Sequence, residues 1–519
     1  MTENRRILLN IVATYGRSLY GIVLGLLCGR WSLMILGQTD FGLYGVVGCM
    51  AGFIGFFSSV LAGSNARFFA ISVGAAKNSL DSNEALAECR RWFNTAFAVH
   101  AVLSVFLVAI GFPIGNYAIQ HWLTIPPDRI PSCLVVFRYV CVSCFAGMFF
   151  VPFSAMFTAK QYIAELTIYS FATMTSNVFV LHYMLTHPLD WFEGYAAWMC
   201  VMAVMPQILI AIRAIFVFPE CRIVRHELFS APKLKQLCRY AGWTFLGMFC
   251  GLLRTNGMML VINRLFGAGM NAAQSIGNTV QTHCCSLAGS MQNAFVPVIT
   301  QACGSGDYRK MNAFALRTCK FNMLLSLLFI IPLSLEMPEI IRLWLAEPPP
   351  YATGFCYMSL LYYFAGCCTV GHMVVVCAVG KLSGYYLTLG GVNILTLPLA
   401  IVVGLWRRNV YEVMAVVVFM EILNSIGRVC FARRHAKTSV KSWAMQCMLP
   451  VFWVSLLAFC FGSVFTFCFK ASFLRVCMTT AVSELVFLPL SYRFVLSKEE
   501  RDFVKLRMRR VLYPKRSPL

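Results

Sequence analysis

Apolar residues fill most of the chain in long runs, and short polar segments separate one run from the next. A run of about 20 apolar residues is long enough for a helix to cross a bilayer, and the runs predict about 14 such helices. The predicted spans cover residues 9–36, 41–72, 93–118, 132–158, 162–186, 194–218, 238–265, 271–300, 314–344, 353–379, 383–405, 411–431, 444–468 and 472–494. The clearest breaks fall at Asp40 and at residues 126–128, 187–190, 347–350 and 407–409.

The composition indicates the same class of protein. Of the 519 residues, 59% are hydrophobic and 12% are charged, whereas soluble domains carry about 25% charged residues. The sequence therefore predicts an all-α polytopic membrane protein. The 23 cysteines fall mostly inside apolar runs, where they act as small packing residues.

The loops between the predicted spans are too short to hold a catalytic domain. The sequence shows no phosphate-binding loop, dinucleotide fingerprint, nucleophile elbow or paired metal-ligand spacing. We therefore predict a transporter rather than an enzyme, with no catalytic residue, no metal and no cofactor. Without a nucleotide site, transport would be driven by an ion gradient or by substrate concentration.

The formal net charge of +22 reflects membrane topology rather than nucleic-acid binding, which we exclude as a function. Basic residues concentrate in alternate loops and in the tail from Lys498 to Arg516. By the positive-inside rule these loops and both termini are cytoplasmic. The first apolar run is too long for a cleavable signal and should remain as an anchor.

The spans fall into two blocks of six that both begin on the cytoplasmic side. The predicted parts are an N-lobe (1–218, spans 1–6), a C-lobe (219–432, spans 7–12), spans 13–14 (433–495) and a basic cytoplasmic tail (496–519). A hint of duplication supports this division, because the sequence Leu-Ala-Gly-Ser at 61–64 recurs at 287–290. Equal halves of the same orientation place a substrate site between them.

Arginines inside the predicted spans suggest what that site binds. Arg17 and Arg30 lie in span 1, Arg67 in span 2 and Arg254 in span 7. A guanidinium at mid-bilayer costs about 2.5–3.5 kcal/mol even on the lenient insertion scale. A water-filled cavity that attracts an anion would explain these residues together, and snorkelling to lipid headgroups is the alternative, strongest for Arg30.

Uncharged polar residues accompany the arginines. Asn65 lies in span 2, Asn256 lies in span 7, and span 8 carries a stripe at helical spacing: Asn271, Gln274, Asn278 and Gln281. A polar stripe in a membrane helix faces protein or water, so these amides either line the cavity or hydrogen bond to neighbouring helices. Carboxylates are scarcer, and we expect structural pairing for Glu421 and Glu484.

Several segments together resemble the bacterial oligosaccharide and O-antigen flippases of the polysaccharide transporter family. This family belongs to the multidrug/oligosaccharidyl-lipid/polysaccharide exporter (MOP) superfamily. The similar segments are 36–37, 40–44, 64–69, 242–254, 267–273, Gln292 with Pro297, and 496–500. The sequence departs from the family pattern at Gln274, Val296 and Val298, which weakens the expected cationic contribution of the C-lobe.

The resemblance implies two six-helix lobes around a central cationic cavity, with two further helices at the C-terminus. It implies a flippase that carries polyprenyl-pyrophosphate-linked oligosaccharide from the cytoplasmic to the periplasmic leaflet of the bacterial inner membrane by alternating access. Arg17, Arg67 and Arg254, with Arg30, would bind the pyrophosphate. The polar residues of spans 2, 7 and 8 would line the cavity, and the span 8 stripe would face the sugars. Membrane lipids would be partners, together with a glycan polymerase and glycosyltransferases.

Two other functions fit the sequence less well. A lipid II flippase for peptidoglycan would use the same cavity and the same number of spans. A cation-coupled drug exporter would need a deep acidic residue in span 1, where this chain carries arginines.

Overall fold

The computed structural model describes residues 3–78, 82–160, 162–228, 230–304, 306–345, 347–380, 382–502 and 505, and no strand occurs among them. The α-helices are α1 (Glu3–Asn78), α2 (Ser82–Tyr117), α3 (Ile130–Phe149), α4 (Val151–Ala159), α5 (Ile163–Thr186), α6 (Phe192–Val217), α7 (Ala231–Phe266), α8 (Ala268–Gly304), α9 (Tyr308–Trp344), α10 (Ala352–Cys367), α11 (Val370–Val379), α12 (Leu382–Arg407), α13 (Val410–Ala436), α14 (Val440–Trp443), α15 (Leu449–Cys468) and α16 (Phe473–Leu490). Short π-helical turns cover Ala118–Trp122, Ala444–Met448 and Ser491–Val495. Short 3₁₀ turns cover Pro127–Arg129, Pro219–Cys221 and Arg225–Glu227.

Each predicted span falls on a helix, on half of a broken helix or on a pair of consecutive helices. Among the described residues, nine helices are long and apolar enough to cross a membrane, and the pair α10–α11, bent by 46°, makes a possible tenth. The prediction of an all-α polytopic membrane protein is confirmed.

Helix α1 contains the first two predicted spans and is broken at Gly37, whose φ is 70° and ψ is 175°. Glycine adopts a positive φ without the clash that a Cβ atom would cause. Just beyond the break, Asp40 pairs with Nη2 of Arg129 at 3.0 Å, and Nη1 of Arg129 donates to Asp190 at 2.6 Å. That hydrogen bond from Arg129 holds the pKa of Asp190 below its usual range. These three residues tie the break in α1 to the segments that precede α3 and α6.

The chain divides into two compact units that are discontinuous in sequence. Unit 1 comprises Met1–Thr279, Leu345–Ala352 and Tyr386–Val417, and unit 2 comprises Val280–Trp344, Thr353–Tyr385 and Val418–Leu519. These units are defined by how compactly the chain packs, whereas the predicted lobes are defined by a repeat of six spans. The division into lobes at residue 218 therefore stays a prediction.

Unit 1 is held together by two apolar clusters. One packs Leu43 and Val46 of α1 against Phe137 of α3 and Phe192 of α6. The other is rich in aromatic residues: Phe69, Phe93, Phe153, Phe157 and Phe218. Helices α1 and α8 pack backbone to backbone, because a methyl group at Gly42 would lie 2.0 Å from the carbonyl oxygen of Ala268. Small residues at such crossings are typical of membrane helices, where close van der Waals packing drives association.

Unit 2 is built around α9, whose buried apolar residues Cys319, Met323, Leu327 and Ile331 recur every four positions. They form the face that packs against α15 and α16. Glu336, fully buried where α9 loses its helical geometry, accepts hydrogen bonds from Arg475 at 2.7 Å and Thr479 at 2.8 Å. The carboxylate therefore fixes α16 to α9.

A second charged contact fixes the C-terminal segment to α9. Lys320 is buried in α9, and its Nζ donates to Oε2 of Glu500 at 2.9 Å. Ser497 and Glu500 also bind each other's backbone N–H groups, at 2.8 and 3.3 Å, which is the capping-box arrangement at a helix start.

Candidate substrate site

Arg254 lies in the middle of α7 in unit 1 and is 7% exposed. Cys250, Arg254 and Gly257 share one face of α7, since residues three and four positions apart are neighbours on a helix. Cys250 and Gly257 lie close to α12. A methyl group at Gly390 of α12 would lie 3.0 Å from Sγ of Cys250, and a methyl group at Gly257 would lie 2.8 Å from Leu397 of α12. Arg254 therefore lies on the face of α7 that packs against α12.

The other predicted arginines also belong to unit 1. Arg17 is exposed and Arg30 is half-buried, both in α1. The backbone of Arg67 is helical, and its side chain lies outside the described residues. A joint role for these arginines in anion binding stays a prediction.

Asn65 is buried in a hydrogen-bond chain between helices. Its Nδ2 lies 2.8 Å from Nε2 of His100, and Nδ1 of His100 lies 2.9 Å from the carbonyl oxygen of Met148. Both hydrogen bonds of His100 form if the imidazole carries its proton on Nδ1: Nδ1–H then donates to the Met148 carbonyl oxygen, and Nε2 accepts from Asn65. Asn65 thus joins α1 to α2 and α3, and its Oδ1 has no hydrogen-bond partner among the described residues.

The polar residues of α8 differ in their surroundings. Asn271 is fully buried and its Nδ2 donates to the carbonyl oxygen of Met259 at 2.8 Å, so this amide links α8 to α7. Gln274 is also buried, and within the described part of the chain its Oε1 accepts no hydrogen bond. Asn278 is exposed and Gln281 is half-buried. The first three belong to unit 1 and Gln281 to unit 2.

Asn256 lies in α7 where that helix crosses the second half of α1. A methyl group at Gly52 would lie 2.0 Å from Nδ2 of Asn256. The glycine therefore provides the space for the amide between the two helices, and Asn256 remains half-buried.

Unit 2 contains a cavity of about 330 Å³ whose lining includes several polar side chains. Its walls come from α8, α9, α10, α11 and α13, and its polar side chains are Gln281, Gln292, Asn322, Tyr362, Tyr363, Glu421 and Arg428. Nη2 of Arg428 lies 3.0 Å from Oε1 of Glu421, and both side chains are largely buried. Gly366 leaves room for this pair, since a methyl group there would lie 3.1 Å from Oε1 of Glu421.

Arg428 of this pair also contacts the break between α10 and α11. Nη1 of Arg428 lies 3.5 Å from Oγ1 of Thr369 at the break. Thr369 also contacts Ser425 at 3.1 Å, and the hydroxyl of Ser425 donates to the carbonyl oxygen of Ala365 at 2.7 Å. The cavity wall is therefore fixed by side chains of α13.

The sequence analysis did not identify Arg428 as an intramembrane cation, nor Glu336 and Arg475 as a buried pair. Glu421 and Arg428 are seven residues apart, two turns along one face of a helix. That spacing of opposite charges in an apolar run is a signal that could have found the pair. The expected structural pairing of Glu421 is observed. Both carboxyl oxygens of Glu484 are buried and bind no residue that the structure describes.

Across nearly its whole length the chain has the fold of solved MOP-superfamily transporters. It is similar to the lipid II flippase MurJ in an inward closed conformation, with a TM-score of 0.65, 13% identity and coverage of 96% of this chain and 100% of that chain. It is also similar to an outward-facing multidrug resistance MATE transporter, with a TM-score of 0.57, 14% identity and coverage of 82% of this chain and 95% of that chain. The similarity to a MOP-superfamily transporter from Pyrococcus furiosus has a TM-score of 0.54 and 13% identity, and it covers 83% of this chain and 94% of that chain. At these identities the likeness establishes the fold.

The sequence itself matches no family profile and no curated protein. The prediction of a MOP-type transporter fold is confirmed, whereas the assignment to oligosaccharide flippases stays a prediction.

Proposed function

We propose that this protein is a flippase that moves a polyprenyl-pyrophosphate-linked oligosaccharide, a precursor of a surface polysaccharide, from the cytoplasmic to the periplasmic leaflet of the bacterial inner membrane. The observation that carries the proposal is the burial of Arg254 in α7, the helix on which predicted span 7 falls, in a chain with a MOP-type fold. In our proposal transport proceeds by alternating access, in which one half of the molecule moves against the other around the substrate.

An arginine suits a diphosphate ligand for three physical reasons. Its guanidinium stays charged at all physiological pH values, donates paired hydrogen bonds to phosphate oxygens and is more weakly hydrated than an ammonium group. A pyrophosphate diester that enters hydrocarbon alone loses its hydration at prohibitive cost. In our proposal Arg254, with Arg17, Arg30 and Arg67, replaces that hydration during the crossing.

The cavity of unit 2 supports a glycan as the other part of the substrate. Amide groups, tyrosine hydroxyls and the Glu421–Arg428 pair offer both donors and acceptors around about 330 Å³. Hydroxyl-rich ligands need such a mixture, because each sugar hydroxyl both donates and accepts. Gln281 belongs to this lining, and the other predicted polar residues of the site, Asn65, Asn256, Asn271, Gln274 and Asn278, would face the transport path or support the helices around it.

An apolar groove in unit 2 supports a lipid carrier. It measures about 510 Å³ and lies among α10, α13 and α14, with a lining that includes Ile422, Ile426, Val429, Trp443 and Met448. In our proposal this groove receives part of the polyprenyl chain, and a glycan polymerase and glycosyltransferases are the partners that use and supply the substrate.

The proposal is tested by complementation in cells that lack the native gene. Arg254→Ala should reduce surface glycan at least tenfold, with unchanged protein in the membrane, and Arg254→Lys should recover only part of it. Arg213→Ala is the matched control, because this exposed arginine pairs with Glu165 outside the predicted site.

Two results would contradict the proposal. Full glycan export by the Arg254→Ala variant would show that Arg254 does not bind the pyrophosphate. Normal surface glycan combined with a block in peptidoglycan precursor transport would make lipid II the substrate.

A further inference from the structure

Several cations lie at the helix ends that the charge bias places on the non-cytoplasmic side, where such residues are scarce. Three of them are neutralised by carboxylates: Arg129 by Asp40 and Asp190, Arg342 by Glu339, and Arg407 by Glu412. Arg264 and Arg408 form no ion pair or side-chain hydrogen bond with any residue that the structure describes. Both of these arginines line the same cavity.

This cavity lies in unit 1 at the C-terminal ends of α7 and α12 and measures about 570 Å³. Besides the two arginines, its walls are largely apolar, and they include Trp122, Val261, Ile401 and Leu405. Its floor is tightly packed, since a methyl group at Gly404 would lie 2.5 Å from Leu265. The Oδ1 of Asn263 accepts a hydrogen bond from the backbone N–H of Thr124 at 3.0 Å, and so fixes the segment after Trp122 to the end of α7.

The conformation of Arg408 is a second unusual feature of the cavity. Its φ is 49°, in the left-handed region that a branched or long side chain rarely adopts. Its backbone N–H still donates to the carbonyl oxygen of Gly404 at 3.1 Å and closes the last turn of α12. The strained backbone ends the helix and keeps the guanidinium at the cavity instead of allowing another helical turn.

The face of α12 beside the cavity is bare and apolar. Val402, Leu405 and Trp406 are 59%, 63% and 81% exposed, and Trp122 is 41% exposed across the cavity. Trp122 and Trp406 lie at the ends of candidate membrane spans, where tryptophans are typical of the membrane interface. A ligand that combines an anionic headgroup with hydrocarbon chains would match both the arginines and this face, whereas a free phosphate would match only the arginines.

We propose that this cavity binds an anionic phospholipid of the outer leaflet of the same membrane, with its phosphodiester between Arg264 and Arg408 and an acyl chain along the Val402–Trp406 face. Helix dipoles alone also favour cations at helix C-termini. However, the dipoles do not account for the cavity or for the exposed apolar face beside the two arginines. The site is independent of the proposed flippase substrate, because it takes a membrane lipid rather than a glycan carrier.

The experiment is a lipid titration of the purified full chain in detergent, followed by native mass spectrometry. Dioleoyl phosphatidylglycerol is the probe, and dioleoyl phosphatidylcholine tests the need for net negative charge. The site variant combines Arg264→Gln with Arg408→Asn, since asparagine tolerates a positive φ. The control combines Arg407→Gln with Lys470→Gln, which removes the same number of outer positive charges outside the cavity.

We expect the site variant to weaken the first phosphatidylglycerol binding event at least tenfold, the control to change it less than twofold, and phosphatidylcholine to bind the wild-type protein far more weakly. Equal losses in the two double variants would overturn the proposal, because they would show an effect of surface charge only. Displacement of the phospholipid by equimolar inorganic pyrophosphate would overturn it too. If the site variant is unfolded by thermal melting, the single Arg264→Gln variant replaces it, with an expected loss of at least threefold.

Discussion

Glu421 and Arg428 form a 3.0 Å ion pair across two turns of α13, at the wall of the cavity in unit 2. Removal of one member leaves an uncompensated charge in a medium of low dielectric constant. We expect Glu421→Leu to destabilise the protein by about 3–5 kcal/mol. The measurement is unfolding in detergent, monitored by helical circular dichroism.

The double variant Glu421→Leu/Arg428→Met is the informative control. Replacement of a buried ion pair by apolar residues is often neutral, so we expect the double variant to recover most of the stability. Glycan export should nevertheless stay low, because the cavity has lost its charged groups. Equal destabilisation of the single and double variants would show that the pair does not couple energetically.

The contact between Lys320 and Glu500 gives the C-terminal segment a predictable dependence on pH. Burial of the Glu500 carboxylate acts to raise its pKa, but the hydrogen bonds from Lys320 and the Ser497 backbone outweigh it, and the pKa lies below its ordinary value. A carboxylate with a depressed pKa contributes stability above its unfolded pKa and loses it as the pH falls through the folded pKa. We expect the contact to weaken below about pH 4.3, the ordinary value for glutamate.

Glu500→Gln tests this expectation, since it removes the charge and keeps the shape. The variant should lose about 1.5–3 kcal/mol at pH 7, the range for hydrogen bonds to charged groups. The difference from wild type should shrink as the pH falls toward 3. Limited proteolysis of the tail at pH 7 and pH 4 measures local release, and Glu499→Gln, at an exposed pair with Arg317, serves as the comparison. A constant difference across this pH range would contradict the assignment.

The crossing of α1 and α8 predicts that alanine substitutions at two glycines of α1 will have different effects on the stability of the protein. An alanine at Gly42 would place its methyl group 2.0 Å from the carbonyl oxygen of Ala268, whereas a methyl group at Gly48 meets no atom within 4 Å. We expect Gly42→Ala to destabilise the protein by about 1–3 kcal/mol through overpacking. Gly48→Ala should be neutral or should stabilise by up to about 1 kcal/mol. Thermal melting of both purified variants decides the question, and similar melting temperatures would mean that the helices can separate at little cost.

The charge bias predicts the membrane orientation, which reporter fusions measure directly. Fusion of green fluorescent protein after residue 502 should be fluorescent, and alkaline phosphatase at the same point should be inactive. Fusions at residue 346, between α9 and α10, should give the opposite results. The basic loops and tail lie on the cytoplasmic side if the positive-inside rule holds for this chain, and an active phosphatase at the C-terminus would reverse the assignment.

The span positions were predictable because each depends on a local run of apolar residues. The helices from α5 to α9 begin and end within several residues of the predicted spans, and the break in α1 falls at Gly37, close to the predicted Asp40. The break between α10 and α11 carries no proline to signal it. Its causes include the bonds of Thr369 with α13, which are tertiary contacts.

The candidate site was only partly predictable for the same reason. The sequence identifies Arg254 as a cation within an apolar run, and its burial is observed. It does not reveal that Asn65 binds His100 or that Asn271 binds the Met259 carbonyl, because an amide that lines a cavity and one that bridges helices look alike in a sequence. Partner choice depends on which faces meet, and that information is distributed over the whole fold.

The break at Gly37 has a mechanical consequence. A single residue separates the two halves of α1, so there is no loop to absorb a displacement of one half relative to the other. Reorientation of these halves is therefore confined to a few backbone torsions, and the salt link between Asp40 and Arg129 resists them from just one turn away. Any change in the angle between the first two spans should therefore be a rotation about the torsions of Gly37, and the Asp40–Arg129 link should limit its range.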